Sequence, residues 1–493
     1  MFMKKILLSG IAALSLSMGI TSCGDSFLET EYYRGVDAEG ALNNADLLAT
    51  ALNGTYYNLF QRYFSGNYAT MIGDIPTDLS YWNGQTGHWD DLNQYTYDYT
   101  DQYLAYIWEY GYKVVDNAAR VIQAGKALYE GATDDDKVTI DITLAEAYAL
   151  RAYANMQMVN VFGHQIKVNG TDYSDKLGLV ISDEPIAAFA QVNRATVGET
   201  YAMIQSDLEA ALEHFNAAGG DRGDKCYMNV AAVKGLLARM YLYEENWNQA
   251  KTYAQEALDE AGITELTYTA DDYKALYNGG ASNTESFFYL DINSNQNWSA
   301  NSCGTLWTTY NFSPTPWLFS IYGDNDVRKA IMGMDLANTT DAAPRYAGGK
   351  FSHYSSGNTA YATNYLVNAP EMFLIIAEAN YKLNSEGAAK EALLVVAKRN
   401  TDIATVDDLP DGADLYAFLK DERARELFQE GLRLYDLRRW GDGANVAAYG
   451  APDIKFRYTN YNISDLVYPI PADEINANFG VQQNDGWEKA LPQ

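Results

Sequence analysis

Basic residues are scarce in this chain of 493. Only 35 Lys and Arg stand against 65 Asp and Glu, a formal net charge of −30. Binding to nucleic acid requires a basic face that displaces counterions from phosphates, and this composition supplies none; an acidic ligand is disfavoured as the bulk partner for the same reason. Histidine is scarcer still: 4 residues, none paired at i, i+4, leave little material for a transition-metal site. Calcium held by loop Asp and Asn stays open as an alternative, but no loop of the form D-x-[DN]-x-[DN]-G occurs, and neither a metal nor another cofactor is expected. Cysteine is limited to 3, an odd number that suits an exported protein only if one is otherwise engaged. Low-complexity linkers are missing too, and no clean domain boundary can be drawn. What is plentiful is apolar and aromatic surface. Hydrophobic residues make up 47%, enough for a large core, and 40 Tyr and 9 Trp exceed what a core requires. Tyr and Trp combine a flat apolar body with a polar edge, so their excess points to a binding surface.

The first residues account for one cysteine. Lys4 and Lys5 form a short basic region, and Ile6 to Ile20 are mostly apolar but too short and interrupted for a membrane span. Ile20-Thr21-Ser22 then precede Cys23, the aliphatic-small-small-Cys order of a bacterial lipobox, followed by polar Gly24-Asp25-Ser26. The expectation is a lipoprotein signal peptide over residues 1–22, cleavage before Cys23, and acylation of that cysteine; ordinary signal cleavage near Ser22 is the plainer alternative. Several acyl chains together hold firmly to a bilayer. Cys226 and Cys303 remain, far apart in sequence and without disulfide-scaffold or metal spacing, and read as buried thiols.

Helical periodicity dominates the rest. It runs through Ala41–Tyr57, Tyr103–Tyr129 and Ile142–Val161, and Thr196 and Glu199 stand at capping-box spacing before Tyr201, Ile204, Leu208 and Leu212. The stretch "VAAVKGLLARMYLYEENWNQAKTYAQEALDEAG" carries Ala238, Tyr241, Ala250, Ala254 and Ala257 at tetratricopeptide offsets, with a turn at Glu245-Asn246. A weaker copy follows, where Ala377 stands for Ala238, Ala389 for Ala250, and Leu393 and Val396 replace the last two alanines. The two copies are separated by long irregular sequence. A helical scaffold is therefore expected over about 40–60, 101–265 and 367–440, interrupted by excursions at about 73–100 and 266–366. Both excursions are rich in Asn, Asp, Gly, Ser and Thr with scattered rings, and loops of such length are functional when they are ordered.

Those rings are the candidate ligand site. "SYWNGQTGHW" offers Tyr81, Trp82 and Trp89 beside Asn83 and Gln85; "NSNQNWSANSCGTLW" offers Trp298 and Trp307 beside Asn297. A pyranose presents a face of C–H bonds that lies well on an indole or phenol ring, while its hydroxyls seek amides at the rim. Each Trp could equally serve as a core or interface anchor; Trp82 and Trp298 are favoured because polar turn residues flank them, and Trp317 reads as core. Catalysis is not expected. Asp74, Asp78, Asp90 and Asp91 could imitate a glycosidase pair, but chance pairs abound among 65 acids. Glu422, Glu426 and Glu430, with Arg423, Arg425 and Arg433 nearby, read as a salt-bridged helix that packs Leu427, Phe428, Leu434, Tyr435 and Trp440 inward and breaks at Gly431.

"LKDERARELFQEGLRLYDLRRWGDG" followed by "VYPIPADEINANFGVQQNDGW" resembles the signature of the SusD/RagB family of outer-membrane lipoproteins of Bacteroidota. The likeness extends through "SFLE", "IWEYGYKVVDNAARVI", "AEAYALRAYANMQMVNVFG", "RATVGETYAMIQSDLEAA" and "PEMFLIIAEANY", over nearly all of residues 23–493. Asn478-Phe479 and Asp485-Gly486-Trp487 depart from the usual Asn-Pro and Pro-Gly-Tyr. The resemblance implies a mostly α, SusD-like fold with tetratricopeptide-like helix pairs on one side and irregular ligand-binding loops on the other. It implies a cell-surface, non-enzymatic protein that captures a glycan and delivers it to a SusC-like TonB-dependent transporter, the two aromatic excursions converging on one pocket. A peptide ligand, as in RagB-like members, is the alternative within the family; a surface glycosidase and a tetratricopeptide assembly scaffold without a small ligand lie outside it.

Overall fold

Short polar side chains open the helices by capping free backbone N–H groups. In the computed structural model, which describes residues 42–82, 86–308, 310, 312–332, 348–351, 357–442 and 467–487, the unit from Asn44 onward begins with such a cap. The signal segment, Cys23, Asn83 and Gln85 lie outside the described residues. Asn44 Oδ1 accepts from Leu47 N and starts α1 (Ala45–Phe60). Asp101 accepts from Tyr103 and Leu104 at the head of α2 (Gln102–Tyr129), and Thr133 caps α3 (Asp134–Phe162), with Asp134, Asp135 and Asp136 favourably placed in its first turn. Thr196 and Glu199 form a reciprocal capping box at α4 (Val197–Ala218), which ends on left-handed Gly219.

Helix α3 is the axis of the molecule. Nearly every residue from Ile140 to Phe162 is buried, because α1, α2 and α4 all pack against it. Arg151, buried in this helix, grips Asp207 of α4 bidentately at 2.7 and 2.8 Å. Next come α5 (Val230–Tyr243) and α6 (Trp247–Ala261), joined at Glu245, whose φ is 54°. Ala238, Ala250, Ala254 and Ala257 are completely buried between them. Small side chains let the two backbones approach, and enlarging them would cost about 1–3 kcal/mol each.

The second pair, α7 (Ala369–Lys382) and α8 (Glu386–Ala397), buries Ala377, Ala389, Leu393 and Val396 at the same seam. The long irregular sequence between the pairs does not hold them apart. Helix α6 packs along α7, so the pairs are stacked and the excursion loops out between them. Neither pair can bury its second face alone, which is the reason tandem repeats stack. The architecture is mostly α with tetratricopeptide-like pairs. No described helix is long and apolar enough to cross a membrane.

Buried ion pairs fasten the C-terminal helices α9 (Gly412–Leu427) and α10 (Arg433–Trp440) to this frame. Arg439 grips Glu378 of α7 at 2.7 Å through both nitrogens, Arg423 joins Asp436, and Glu422 and Glu426 share Arg328. Glu430 pairs with Lys350 at 2.5 Å and accepts from Asn368. The acid-rich face of α9 is thus internally neutralised. Between α9 and α10 the chain passes so close to the first excursion that a Cβ on Gly431 would lie 2.0 Å from the Thr70 carbonyl; its φ of 74° also calls for glycine.

Candidate functional site

Two antiparallel ladders tie the excursions to the frame and to each other. Strand β1 (Ser80–Trp82) pairs with Phe312–Pro314, setting Tyr81 opposite Ser313 and Trp82 opposite Phe312. Ser286–Leu290 pairs with Asn364–Asn368 immediately before α7. Side chains close the rest of the gap: Asn67 Nδ2 donates to the Asn301 carbonyl at 2.8 Å, Thr86 Oγ1 to the Tyr310 carbonyl at 3.2 Å, and Trp298 Nε1 to the Phe60 carbonyl at 3.1 Å. Segments more than two hundred residues apart in the chain thereby share one surface.

That surface is a two-tiered aromatic platform. The lower tier is buried: Trp89 lies flat on Tyr103 at 4.5 Å, and Tyr68 sets its edge against both. The upper tier is half-buried. Phe60 meets Trp298 at 5.3 Å, Tyr63 lies 4.3 Å from Tyr106 and 4.8 Å from Tyr110, and His88 stacks on Tyr310 at 4.1 Å with its ring exposed. Between the tiers is a crevice of about 20 Å³, bounded by Asn67, Trp89, Asn301 and Tyr310. It would hold no more than a water molecule, so a ligand must lie across the rings and not within them.

The residues singled out in the sequence fall into distinct positions. Trp298 belongs to the upper tier. Trp82 is half-buried at its margin and donates its indole N–H to the Thr86 carbonyl at 2.9 Å. Tyr81 points inward and is 8% exposed. Trp89, at 2% exposure, forms the floor of the platform, and Trp307, at 3%, donates to Met71 Sδ and packs edge-on against Phe428 within the core. Asn297 shapes the turn before Trp298: its Nδ2 donates to the Asn293 carbonyl and its Oδ1 accepts from Ser299 N. The structure thus brings Trp82, Trp89 and Trp298 to one region and sets Trp307 beneath it.

Sequence reasoning passed over Phe60, Tyr63, His88, Tyr106, Tyr110 and Tyr310. A signal was present for two of them: Tyr106 and Tyr110 fall at i+3 and i+7 from Tyr103 and must share its face of α2. The others come from separate turns, and no local pattern predicts that they meet.

Electrostatically the platform is mixed. Arg62 lays its guanidinium over the Tyr63 ring at 4.6 Å and donates to the Tyr63 hydroxyl at 2.7 Å. Burial pushes the Tyr68 phenol up to about 12, so it stays a hydrogen-bond donor at any working pH. Burial also raises the Asp101 carboxyl to about 6, against the lowering effect of the two α2 N–H groups it caps. Two neighbouring carboxylates are spent on the frame. Asp74 accepts from the backbone N–H groups of Gly431 and Arg433, and Asp78 holds Arg433 bidentately at 2.7 and 2.8 Å. Cys226 and Cys303 are free thiols, both pushed up to about 12 by burial, and neither is poised for reaction. No cluster that could hold a metal ion occurs among the described residues.

A sequence profile described as "SusD family" matches residues 335–487, and one described as "Starch-binding associating with outer membrane" matches residues 26–242. A SusD-like protein of Bacteroides ovatus is 26% identical over 326 residues, which is 63% of this chain and 54% of that relative; the chain thus spans about half the length of the curated relative it matches. Among solved structures, a putative sugar-binding protein from Bacteroides vulgatus superposes with a TM-score of 0.79 at 23% identity, covering 91% of this chain and 99% of its own. A SusD superfamily protein from Bacteroides thetaiotaomicron gives 0.78 at 20%, with coverage of 90% and 99%. At such identities the superpositions establish the fold alone; the two profiles, which together match most of the chain, make it a member of the SusD/RagB family.

Proposed function

We propose that this protein captures an oligosaccharide at the cell surface and hands it to a SusC-like TonB-dependent transporter in the outer membrane, held there by lipid on Cys23. The observation that carries the reading is the convergence of two distant excursions into one ring-faced surface, with Trp298 against Phe60 at 5.3 Å and His88 against Tyr310 at 4.1 Å. Flat aromatic faces accept the C–H faces of sugars, and the hydroxyls of Tyr63, Tyr106 and Tyr110 with the Arg62 guanidinium can meet sugar hydroxyls at the margin. The starch-binding description of the profile over 26–242 and the sugar-binding description of the Bacteroides vulgatus protein agree with it. Capture without chemistry is supported by the engagement of Asp74 and Asp78, two of the four carboxylates that could imitate a glycosidase pair, at the junction between α9 and α10.

The test is calorimetric titration of the purified protein with a panel of neutral oligosaccharides, and in parallel with short peptides. At least one oligosaccharide should bind and be recovered uncleaved, and Trp298→Ala should weaken it by about tenfold, the worth of about one good stacking contact. Binding of peptides alone would replace the reading by a RagB-like one. Cleaved products would replace it by a hydrolase.

A further inference from the structure

Helix α2 presents two functional faces. Tyr103, Tyr106 and Tyr110 serve the platform; Ala105, Trp108, Glu109 and Tyr112, also at helical spacing, lie on the opposite face and line a second cavity of about 500 Å³. A helix with its side chains is about 10 Å thick, so the two places are separate. The facing wall is the loop that carries Ile186 and Phe189, and the end is closed by Glu474 and Phe479. This volume falls in the range of small-ligand pockets.

Three observations bear on its occupant. Phe189 is 83% exposed and held at a φ of 63°, with Phe479 edge-on to its ring at 5.9 Å. A bulky side chain in the left-handed region is strained, and here burial of the ring offsets almost none of it. Trp108 forms the floor, 4.8 Å from Tyr112, and is pinned by donating its Nε1 hydrogen to Glu474 Oε2 at 3.1 Å. Lastly, the charge is one-sided. Glu109, Asp473 and Glu474 all border the cavity, no Lys or Arg lines it, and among the described residues neither Asp473 nor Glu474 has a cationic partner; Glu109 alone is paired, with Lys113 at 2.6 Å.

We propose that this cavity is a second binding site, for an organic cation: an ammonium or guanidinium group carried on an apolar body. The apolar part lies between Trp108 and Phe189, and the positive group meets the carboxylate of Glu474 beside the electron-rich ring faces. An anion would be repelled by the three carboxylates, and a neutral sugar would leave them uncompensated. The same chemistry is offered by a free amine and by a basic residue of a peptide.

Calorimetric titration at low salt with phenethylammonium, with its neutral isostere 2-phenylethanol and with phenylalanyl-arginine amide tests the site. Phenethylammonium should bind about fivefold more tightly than the alcohol. Glu474→Gln, which keeps an oxygen acceptor for Trp108, and Phe189→Ser, on an exposed ring, should each weaken it by about fivefold. Trp298→Ala should change nothing here, which separates this site from the platform. Tighter binding of the dipeptide amide than of the amine identifies a peptide as the source of the cation; weaker binding identifies a free amine. Equal affinity for amine and alcohol, no binding of either at millimolar concentration, or unchanged affinity in Glu474→Gln would overturn the proposal.

Discussion

Trp298 sits at the end of an irregular loop, yet it is well fixed, because its indole N–H is committed to the Phe60 carbonyl and its ring rests on the Phe60 side chain. Flanking Asn and Ser residues marked it in the sequence as a turn aromatic; the carbonyl that orients it lies 238 positions away and left no local trace. Trp307 shows the converse. Its neighbours look similar, but a one-turn helix, Cys303–Thr308, directs it onto Met71 and Phe428. Polar surroundings in the sequence do not separate a rim tryptophan from a core one, because both can follow a turn. Charge is more legible at this scale than contact. Burial by itself would raise the Glu378 carboxyl, but the Arg439 and Arg423 guanidinium groups and the Trp440 hydrogen bond together outweigh it and hold the group down at about 2, below the ordinary 4.5. A depressed carboxylate contributes stability that is complete above pH 4.5 and lost as the pH falls from there toward 2. Glu378→Gln should therefore cost about 3 kcal/mol or more at neutral pH, where it leaves a buried guanidinium short of charge. It should also flatten the dependence of the urea midpoint on pH below 4.5, the ordinary value for this carboxyl. An equal pH slope in variant and parent would contradict that account.

Helices are the elements that period and caps announce. Thr196 and Glu199 form the capping box their spacing suggests, and Thr196→Ala should lower stability by about 1 kcal/mol, read as a shift in the denaturant midpoint at constant slope. The paired alanines of α5 and α6 lie at a helix seam, and their weaker copy in α7 and α8 does the same. Less visible was that the second pair docks on the first, since stacking across a long insertion depends on faces and not on adjacent sequence. The three-residue pairing of Ser80–Trp82 with Phe312–Pro314 was illegible for a related reason: short strands from remote segments carry too few residues for a pattern. At the α9–α10 junction the glycine was visible as a helix breaker, while the crossing it permits was not. Gly431→Ala should destabilise by more than about 3 kcal/mol, because its Cβ would overlap a backbone carbonyl that cannot rotate away. A stability loss near that of an ordinary surface Gly→Ala change would contradict so close a crossing.

On the scale of the whole molecule, a helical frame carries two surfaces on opposite faces of one helix, a ring platform and an acid-rimmed cavity, while an acidic exterior keeps the rest from binding polyanions. The proposed anchor belongs to this scale as well. Cys23→Ala should move the protein from the detergent phase to the aqueous phase on partitioning, and labelled palmitate should no longer be incorporated. Retention in the detergent phase would point to another mode of attachment. The central claim is that the excursions meet in order to hold a sugar, and its most direct measurement is a crystal structure of the protein soaked with the oligosaccharide that titration identifies. The account predicts sugar rings lying over Trp298–Phe60 or His88–Tyr310, with carbon atoms about 4 Å from the aromatic faces and hydroxyls near Arg62 or the tyrosine phenols. A sugar bound in the tetratricopeptide groove or on the far side of α2, with the platform empty, would contradict it.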